Sequence, residues 1–230
     1  MIRDPLAALF AELGRLRELA RIESELFSRG FSRIAGVDEV GRGCLAGPVV
    51  AAAVILAPGC LLPGLDDSKR LDAEARARLD RQIRARAVAI GIGLVEARRI
   101  DQEDILRASL EAMREAVSAL VPTPDVLLVD AVRVPAVAMP QLAVIHGDAL
   151  SASIAAASVV AKVHRDGLLE DLGRLHPVYG FDQHKGYGTP EHWEALRLYG
   201  PCPEHRLTFH GVLPETGAAA FDGRTARRRG

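Results

Sequence analysis

Apolar positions along this chain follow two different periods. From residue 5 to residue 29, Leu6, Leu9, Phe10, Leu13, Leu16 and Leu19 recur at helical spacing, which predicts one amphipathic helix lying against the domain. The period then changes. Residues 34–40 and 48–57 are short apolar runs separated by Gly41-Arg42-Gly43, which predicts two strands of a hairpin. Residues 72–86 read as a charged surface helix, and 87–95 (Ala-Val-Ala-Ile-Gly-Ile-Gly-Leu-Val) as a third strand. Asp101 is a suitable N-cap for a helix over 102–120 whose apolar face is Leu106, Leu110, Met113, Val117 and Leu120; Pro122 and Pro124 end it. Strands follow at 126–129 and 142–145, then an Ala- and Ser-rich helix at about 151–172. A hairpin followed by alternating helix and strand predicts an α/β fold with a mixed sheet flanked by helices. From Pro177 onward the chain is loop-rich, with one helix near 190–199.

The resulting division is an N-terminal amphipathic extension (1–33), a catalytic domain (34–177), a C-terminal helical extension (178–215) and a disordered basic tail (216–230). With 230 residues, 49% of them hydrophobic, the chain has ample material for one core. No apolar run is long enough to span a bilayer free of charge. Asp4, Glu12 and Arg15 interrupt any secretion-signal pattern. Three cysteines without a CxxC pair fit a reducing cytoplasm better than a disulfide framework. The net charge of −1 excludes a globally basic polyanion binder, so any phosphate-binding surface is a local patch.

Chemistry enters at Asp38 and Glu39. Two adjacent carboxylates inside an apolar strand are either solvated charges on an edge strand or a buried pair that needs a neutralising cation. Asp38, Asp130 and Asp148 share one context, the end of a short apolar strand, where functional groups of α/β sheets gather. Taken alone, Asp130 and Asp148 each read more often as a turn or cap residue. Converging carboxylates repel unless protonated or metal-bound. All-oxygen ligation favours Mg²⁺ or Mn²⁺, and suits two-metal phosphodiester hydrolysis with ions ~3.5–4 Å apart. Neighbours on a strand face opposite sides, so Glu39 joins Asp38 only if the strand bends or ends there. All seven histidines lie from His146 onward, at spacings that fit neither HxxxH nor HExxH, and read as surface or satisfied core residues.

Gly41-Arg42-Gly43 is either a tight turn or a place where backbone amides approach a substrate. Lys69, Lys162 and Arg165 are candidate phosphate contacts, the last two on one helix face, or simply solvated charges. Tyr187, set between glycines in His184-Lys185-Gly186-Tyr187-Gly188-Thr189, either stacks on a sugar or base or packs the extension on the core.

Together these segments resemble the bacterial ribonuclease HII family (type 2 ribonuclease H). The matching stretches are Ala-Gly-Val-Asp-Glu-Val-Gly-Arg-Gly at 35–43, Asp-Ser-Lys at 67–69, Leu-Val-Asp at 128–130, Gly-Asp at 147–148, Ser151 to Asp166, Tyr-Gly-Phe-Asp-Gln-His-Lys-Gly-Tyr-Gly-Thr at 179–189 and His-Arg-Leu-Thr-Phe at 205–209. They occur in the family's order across residues 34–212. The resemblance implies a ribonuclease H-like fold with a C-terminal helical extension. It implies hydrolysis 5′ of a ribonucleotide in RNA–DNA hybrids and at single ribonucleotides embedded in duplex DNA, leaving 3′-hydroxyl and 5′-phosphate ends. Asp38, Glu39, Asp130 and Asp148 would be the catalytic set and hold the Mg²⁺ or Mn²⁺ ions. Gly41, Arg42 and Gly43 would contact the ribose 2′-hydroxyl, the group that distinguishes RNA from DNA. Tyr187 would stack on the adjoining deoxyribose, and Lys69, Lys162 and Arg165 would meet phosphates. The protein would be a cytoplasmic monomer. In one departure, Ala131-Val132 stands where many members have Gly-Asn. Two other readings are a non-catalytic nucleic-acid-binding module and a junction resolvase on the same fold. Retention of all four acidic positions disfavours the first, and the Gly-Arg-Gly turn paired with Tyr187 disfavours the second.

Overall fold

A five-stranded mixed sheet in the order β3-β2-β1-β4-β5 organises the molecule. The computed structural model describes residues 4–213; the tail predicted at 216–230 lies outside the described residues. The strands are β1 (Ile34–Val40), β2 (Val49–Leu56), β3 (Ala87–Val95), β4 (Val126–Asp130) and β5 (Gln141–Val144). β1, β2 and β3 form an antiparallel meander, while β1–β4 and β4–β5 are parallel. The helices are α1 (Pro5–Leu19), α2 (Arg21–Ser28), α3 (Ala73–Arg86), α4 (Ala97–Glu103), α5 (Ile105–Ser118), α6 (Gly147–Leu150), α7 (Ala152–Leu175), α8 (Phe181–His184) and α9 (Pro190–Tyr199).

Both faces of the sheet are covered, which is why β2 is apolar throughout rather than alternating. Its odd residues, Ala51, Ala53 and Ile55, join Ala112, Met113 and Ala116 of α5 in one core layer. Its even residues, Ala52, Val54 and Leu56, join Leu79 and Ile83 of α3 and the alanines of α7 in the other. The small residues foreseen on α7 let it lie close to β1. Gly36 makes the approach possible: a Cβ there would sit 2.0 Å from the Ser153 carbonyl carbon. The N-terminal extension is locked to the same helix by a buried carboxylate. Glu23 of α2 accepts from the Ser151 hydroxyl at 2.5 Å, and from the Ser153 amide at 2.9 Å and hydroxyl at 2.6 Å.

Several elements depart from the sequence reading. The helix expected over 5–29 breaks at Ala20, and of its apolar stripe only Leu16 and Leu19 are buried; Leu6, Leu9 and Phe10 are exposed. The helix expected over 102–120 is two helices. Asp104, at φ 134°, caps α5 through the Arg107 amide. Asp101, the expected cap, instead accepts from the Leu207 and Thr208 amides and the Thr208 hydroxyl, tying α4 to the C-terminal segment. The β1–β2 pair is antiparallel as expected, but the connection runs over residues 41–48. It is held by the C-terminal segment, through the Ala46–His205 bridge and the Gly47 amide on the Glu204 carbonyl.

Candidate active site

The candidate site is assembled at the end of the sheet where parallel β1 and β4 stop pairing. Val37 and Val129 are the last paired residues, so Asp38 and Asp130 are the first beyond the ladder. Asp38 is buried, and its Oδ1 accepts from the Glu39 amide at 2.8 Å. Burial pushes its carboxyl well above the usual carboxylate range; the charges of Glu39 and Asp130 push the same way, and the neighbouring Ser158 hydroxyl of α7 opposes them. Burial likewise raises Glu39, against the pull of Arg42, whose Nη1 lies 3.3 Å from Glu39 Oε1, with Asp130 adding to the rise.

The strand does not bend to bring Glu39 round. β1–β2 pairing runs in register through Asp38–Ala52, Glu39–Ala51 and Val40–Val50. Alternation therefore sends Asp38 toward the α7 layer and Glu39 toward the other. Both carboxylates nonetheless feel Asp130, because all three lie at the open end of the sheet.

Asp130 Oδ1 accepts from the Gly147 amide at 2.7 Å, which fixes the start of α6 and presents the next residue, Asp148, to the same end. Asp148 is buried, and its Oδ2 lies 3.2 Å from Lys69 Nζ. Partial burial works against the Lys69 charge, but the hydrogen bond and charge of Asp148, with those of Asp67 and Asp38, hold its ammonium above the usual value. Ser68 and Ser158 share a hydrogen bond at 2.8 Å and anchor the Asp-Ser-Lys segment on α7. Among the described residues, no three acidic, histidine or cysteine side chains stand grouped so as to hold a metal ion as placed. The donor set is nonetheless that of a hard divalent ion: oxygen-only, partly buried and short of positive charge.

Ala131 has φ 54°, a left-handed conformation that glycine adopts freely and alanine at a cost of roughly 1–2 kcal/mol. The chain bends there as it leaves β4.

The Gly-Arg-Gly turn and Tyr187 are brought together. The Leu45 amide donates to the Gly186 carbonyl at 2.8 Å, and the Cys44 thiol adjoins the Tyr187 phenol. Tyr187 is 43% exposed, and Lys162 Nζ stands 5.8 Å from its ring centroid. Lys162 also pairs with Asp166 at 2.8 Å.

Arg165 does not join Lys162 on a phosphate-facing surface. It is fully buried, and its Nε, Nη1 and Nη2 donate to the carbonyls of Pro48, Lys185 and Ala46 at 2.9, 2.9 and 3.0 Å. It buttresses the turn from beneath: Gly41, at φ 92°, rests on it so closely that a Cβ would meet Arg165 Nε at 2.2 Å. Arg206, also fully buried, donates to the Arg42 carbonyl at 2.9 Å and to the Gly47 carbonyl through Nε and Nη2. Its role was not visible from sequence, because which carbonyls an arginine finds depends on contacts 159 residues or more away.

A family model described as ribonuclease HII matches residues 35–212. This chain belongs to the ribonuclease HII family. It is 60% identical over 198 residues to the ribonuclease HII of Geobacillus kaustophilus (strain HTA426), covering 86% of this chain and 76% of that protein. It is 56% identical over 203 residues to that of Geobacillus thermodenitrificans (strain NG80-2), covering 88% and 78%. The crystal structure of ribonuclease H2 from Pyrococcus horikoshii OT3 superposes with a TM-score of 0.68 at 25% identity, covering 78% of this chain and 95% of that one. As a ribonuclease HII, the protein is an endoribonuclease acting on RNA–DNA hybrids and dependent on divalent metal ions, and its ribonuclease H-like fold is the one expected from the motifs. No helix among the described residues is long and apolar enough to cross a membrane.

Proposed function

We propose that this enzyme cuts the phosphodiester on the 5′ side of a ribonucleotide, both in RNA–DNA hybrids and where a single ribonucleotide is embedded in duplex DNA, leaving 3′-hydroxyl and 5′-phosphate ends. The observation that carries the reading is a juxtaposition. The strand bearing Asp38 and Glu39 leads directly into Gly41-Arg42-Gly43, and the chain just past that turn is hydrogen-bonded, through the Leu45 amide, to Gly186 beside the exposed Tyr187. Groups suited to cutting and to sensing a ribose thus occupy one continuous surface.

Asp38, Glu39, Asp130 and Asp148 would hold Mg²⁺ or Mn²⁺. The chemistry such ions supply when bound is activation of water and stabilisation of the leaving oxygen. The rest is done by the protein's own groups. Asp38 and Glu39 lie in a partly buried setting that disfavours their charges, so they bind cations in preference to staying bare. Lys69 neutralises Asp148 and stands ready beside the substrate phosphate. The backbone of Gly41–Gly43, backed by contact with Arg165 and by the hydrogen bond from Arg206 to the Arg42 carbonyl, offers amides to the 2′-hydroxyl without reading a base. Tyr187 stacks on the neighbouring deoxyribose, and Lys162 beside it meets the backbone phosphate. Binding is therefore nearly sequence-independent and strongly salt-dependent. The enzyme works as a monomer in the cytoplasm.

The test is cleavage of a duplex containing one ribonucleotide, with the product ends mapped, for the wild type and Tyr187→Ala. Cutting 5′ of the ribonucleotide is expected, and Tyr187→Ala should lose more activity on this substrate than on a continuous hybrid. Binding without cleavage, or equal cutting of an all-DNA junction, refutes the proposal.

A further inference from the structure

Two buried imidazoles lie behind Tyr187, and neither belongs to the surface a substrate meets. His192 is fully buried; its Nδ1 is 2.9 Å from the Tyr187 carbonyl oxygen and its Nε2 is 3.0 Å from Nε2 of His205. His205, 1% exposed, places its Nδ1 3.0 Å from the Cys202 amide nitrogen and 3.2 Å from Cys202 Sγ. The ends of this chain dictate its protons. A carbonyl only accepts, so His192 carries its proton on Nδ1. A backbone amide only donates, so His205 Nδ1 is bare and its proton sits on Nε2. The His205 Nε2–H therefore points at the bare Nε2 of His192. Each ring is neutral and held in a single tautomer, and the relay runs Cys202 to His205 to His192 to the Tyr187 carbonyl.

A third imidazole completes the clamp. His184 stacks on His192 with centroids 4.3 Å apart; its Nε2 donates to the Tyr179 carbonyl at 2.7 Å and its Nδ1 accepts from the Gly186 amide at 3.2 Å. The Tyr187 amide in turn donates to the His184 carbonyl at 3.0 Å. The peptide of Tyr187 is thus gripped from both sides while its ring stays exposed. A tyrosine flanked by Gly186 and Gly188 has little local stiffness of its own, so its direction is set by these contacts.

We propose that His192 and His205 are positioning residues that aim the Tyr187 ring, and that recognition of a single ribonucleotide depends on them although neither touches substrate. The inference rests on the role proposed above for Tyr187, and the experiment separates the two. A double-mutant cycle is measured on the single-ribonucleotide duplex with wild type, Tyr187→Ala, His192→Phe and the double variant, reading kcat and KM separately. His192→Phe keeps the ring's bulk and its stack but removes both hydrogen bonds. It should raise KM about tenfold, the order expected from one buried hydrogen bond left unmade. The double variant should be no worse than Tyr187→Ala alone, because an unaimed ring and an absent ring are equivalent. His192→Asn, whose side-chain amide can still donate toward the Tyr187 carbonyl, should recover most of the loss. If His192→Phe fails to fold, His205→Gln takes its place in the cycle. An additive cycle, a loss carried by kcat with KM unchanged, or no rescue by His192→Asn overturns the inference and leaves the Tyr187 reading standing. A wild-type KM in Tyr187→Ala overturns both.

Discussion

Replacing Arg165 separates a structural strut from a phosphate contact. In Arg165→Met, the buried carbonyls of Ala46 and Pro48 and the partly buried carbonyl of Lys185 lose their donor. Each unsatisfied buried acceptor costs about 1–3 kcal/mol. Methionine fills part of the space, and loss of the buried guanidinium removes its own desolvation penalty, so the net cost is about 3–5 kcal/mol. For a domain of this size that lowers Tm by about 10 °C. The damage should centre on residues 41–48 and 185–187, so binding of the single-ribonucleotide duplex weakens at every salt concentration alike. A phosphate contact behaves oppositely: its removal leaves Tm unchanged and lowers the slope of log affinity against log salt by about one unit. Thermal melts and fluorescence-anisotropy titrations at several salt concentrations, in an Asp38→Asn background to prevent cleavage, measure both. Lys162→Met is the internal comparison and should show the phosphate pattern. An Arg165→Met protein with wild-type Tm and a reduced salt slope would show that the strut argument is wrong.

Asp38→Asn should abolish turnover while the metal-free protein melts at the same temperature or higher, because the change removes a buried charge that Glu39 and Asp130 oppose; residual activity near wild type refutes the site. Gly36→Ala should cost several kcal/mol, on the order of 3 or more, because its Cβ would meet the Ser153 and Ile154 backbone, which cannot rotate away; a melt within a few degrees of wild type contradicts the packing described. Acid should weaken the C-terminal extension through His205. Burial, then the charges of the neighbouring His192, His176 and His184, lower its imidazole from 6.5 to about 4. The unfolded chain therefore takes up the proton first: stability is full above about pH 6.5 and is lost as pH falls toward 4, by at most about 3 kcal/mol. Melts from pH 7 to 4 should show a steeper fall in wild type than in His205→Gln, and equal slopes would count against it.

Much of this protein is legible in its sequence. Strand positions were readable because each run is apolar and bounded by turn residues, and β3 spans the predicted residues 87–95. The acidic candidates were readable because charge at the end of an apolar strand is costly and so conspicuous. Local periodicity also located α3, α7 and α9, within a residue or a few at their ends. What the sequence could not carry is any role set by a partner distant along the chain. Lys162 and Arg165 look alike as cations three residues apart on one helix, yet one reaches the Tyr187 ring and the other is sealed beneath Gly41. Asp101 looks like a helix cap and instead holds residues 207–208. Spacing-based rules saw only isolated histidines, whereas the fold puts two of them nose to nose behind Tyr187. Periodicity and burial cost are properties of a few neighbouring residues, so sequence alone determined the strands and several helices and singled out the acidic candidates. Hydrogen-bond partners of long polar side chains depend on how those elements are stacked, and only the tertiary structure decided which charges face solvent and which hold the site from behind.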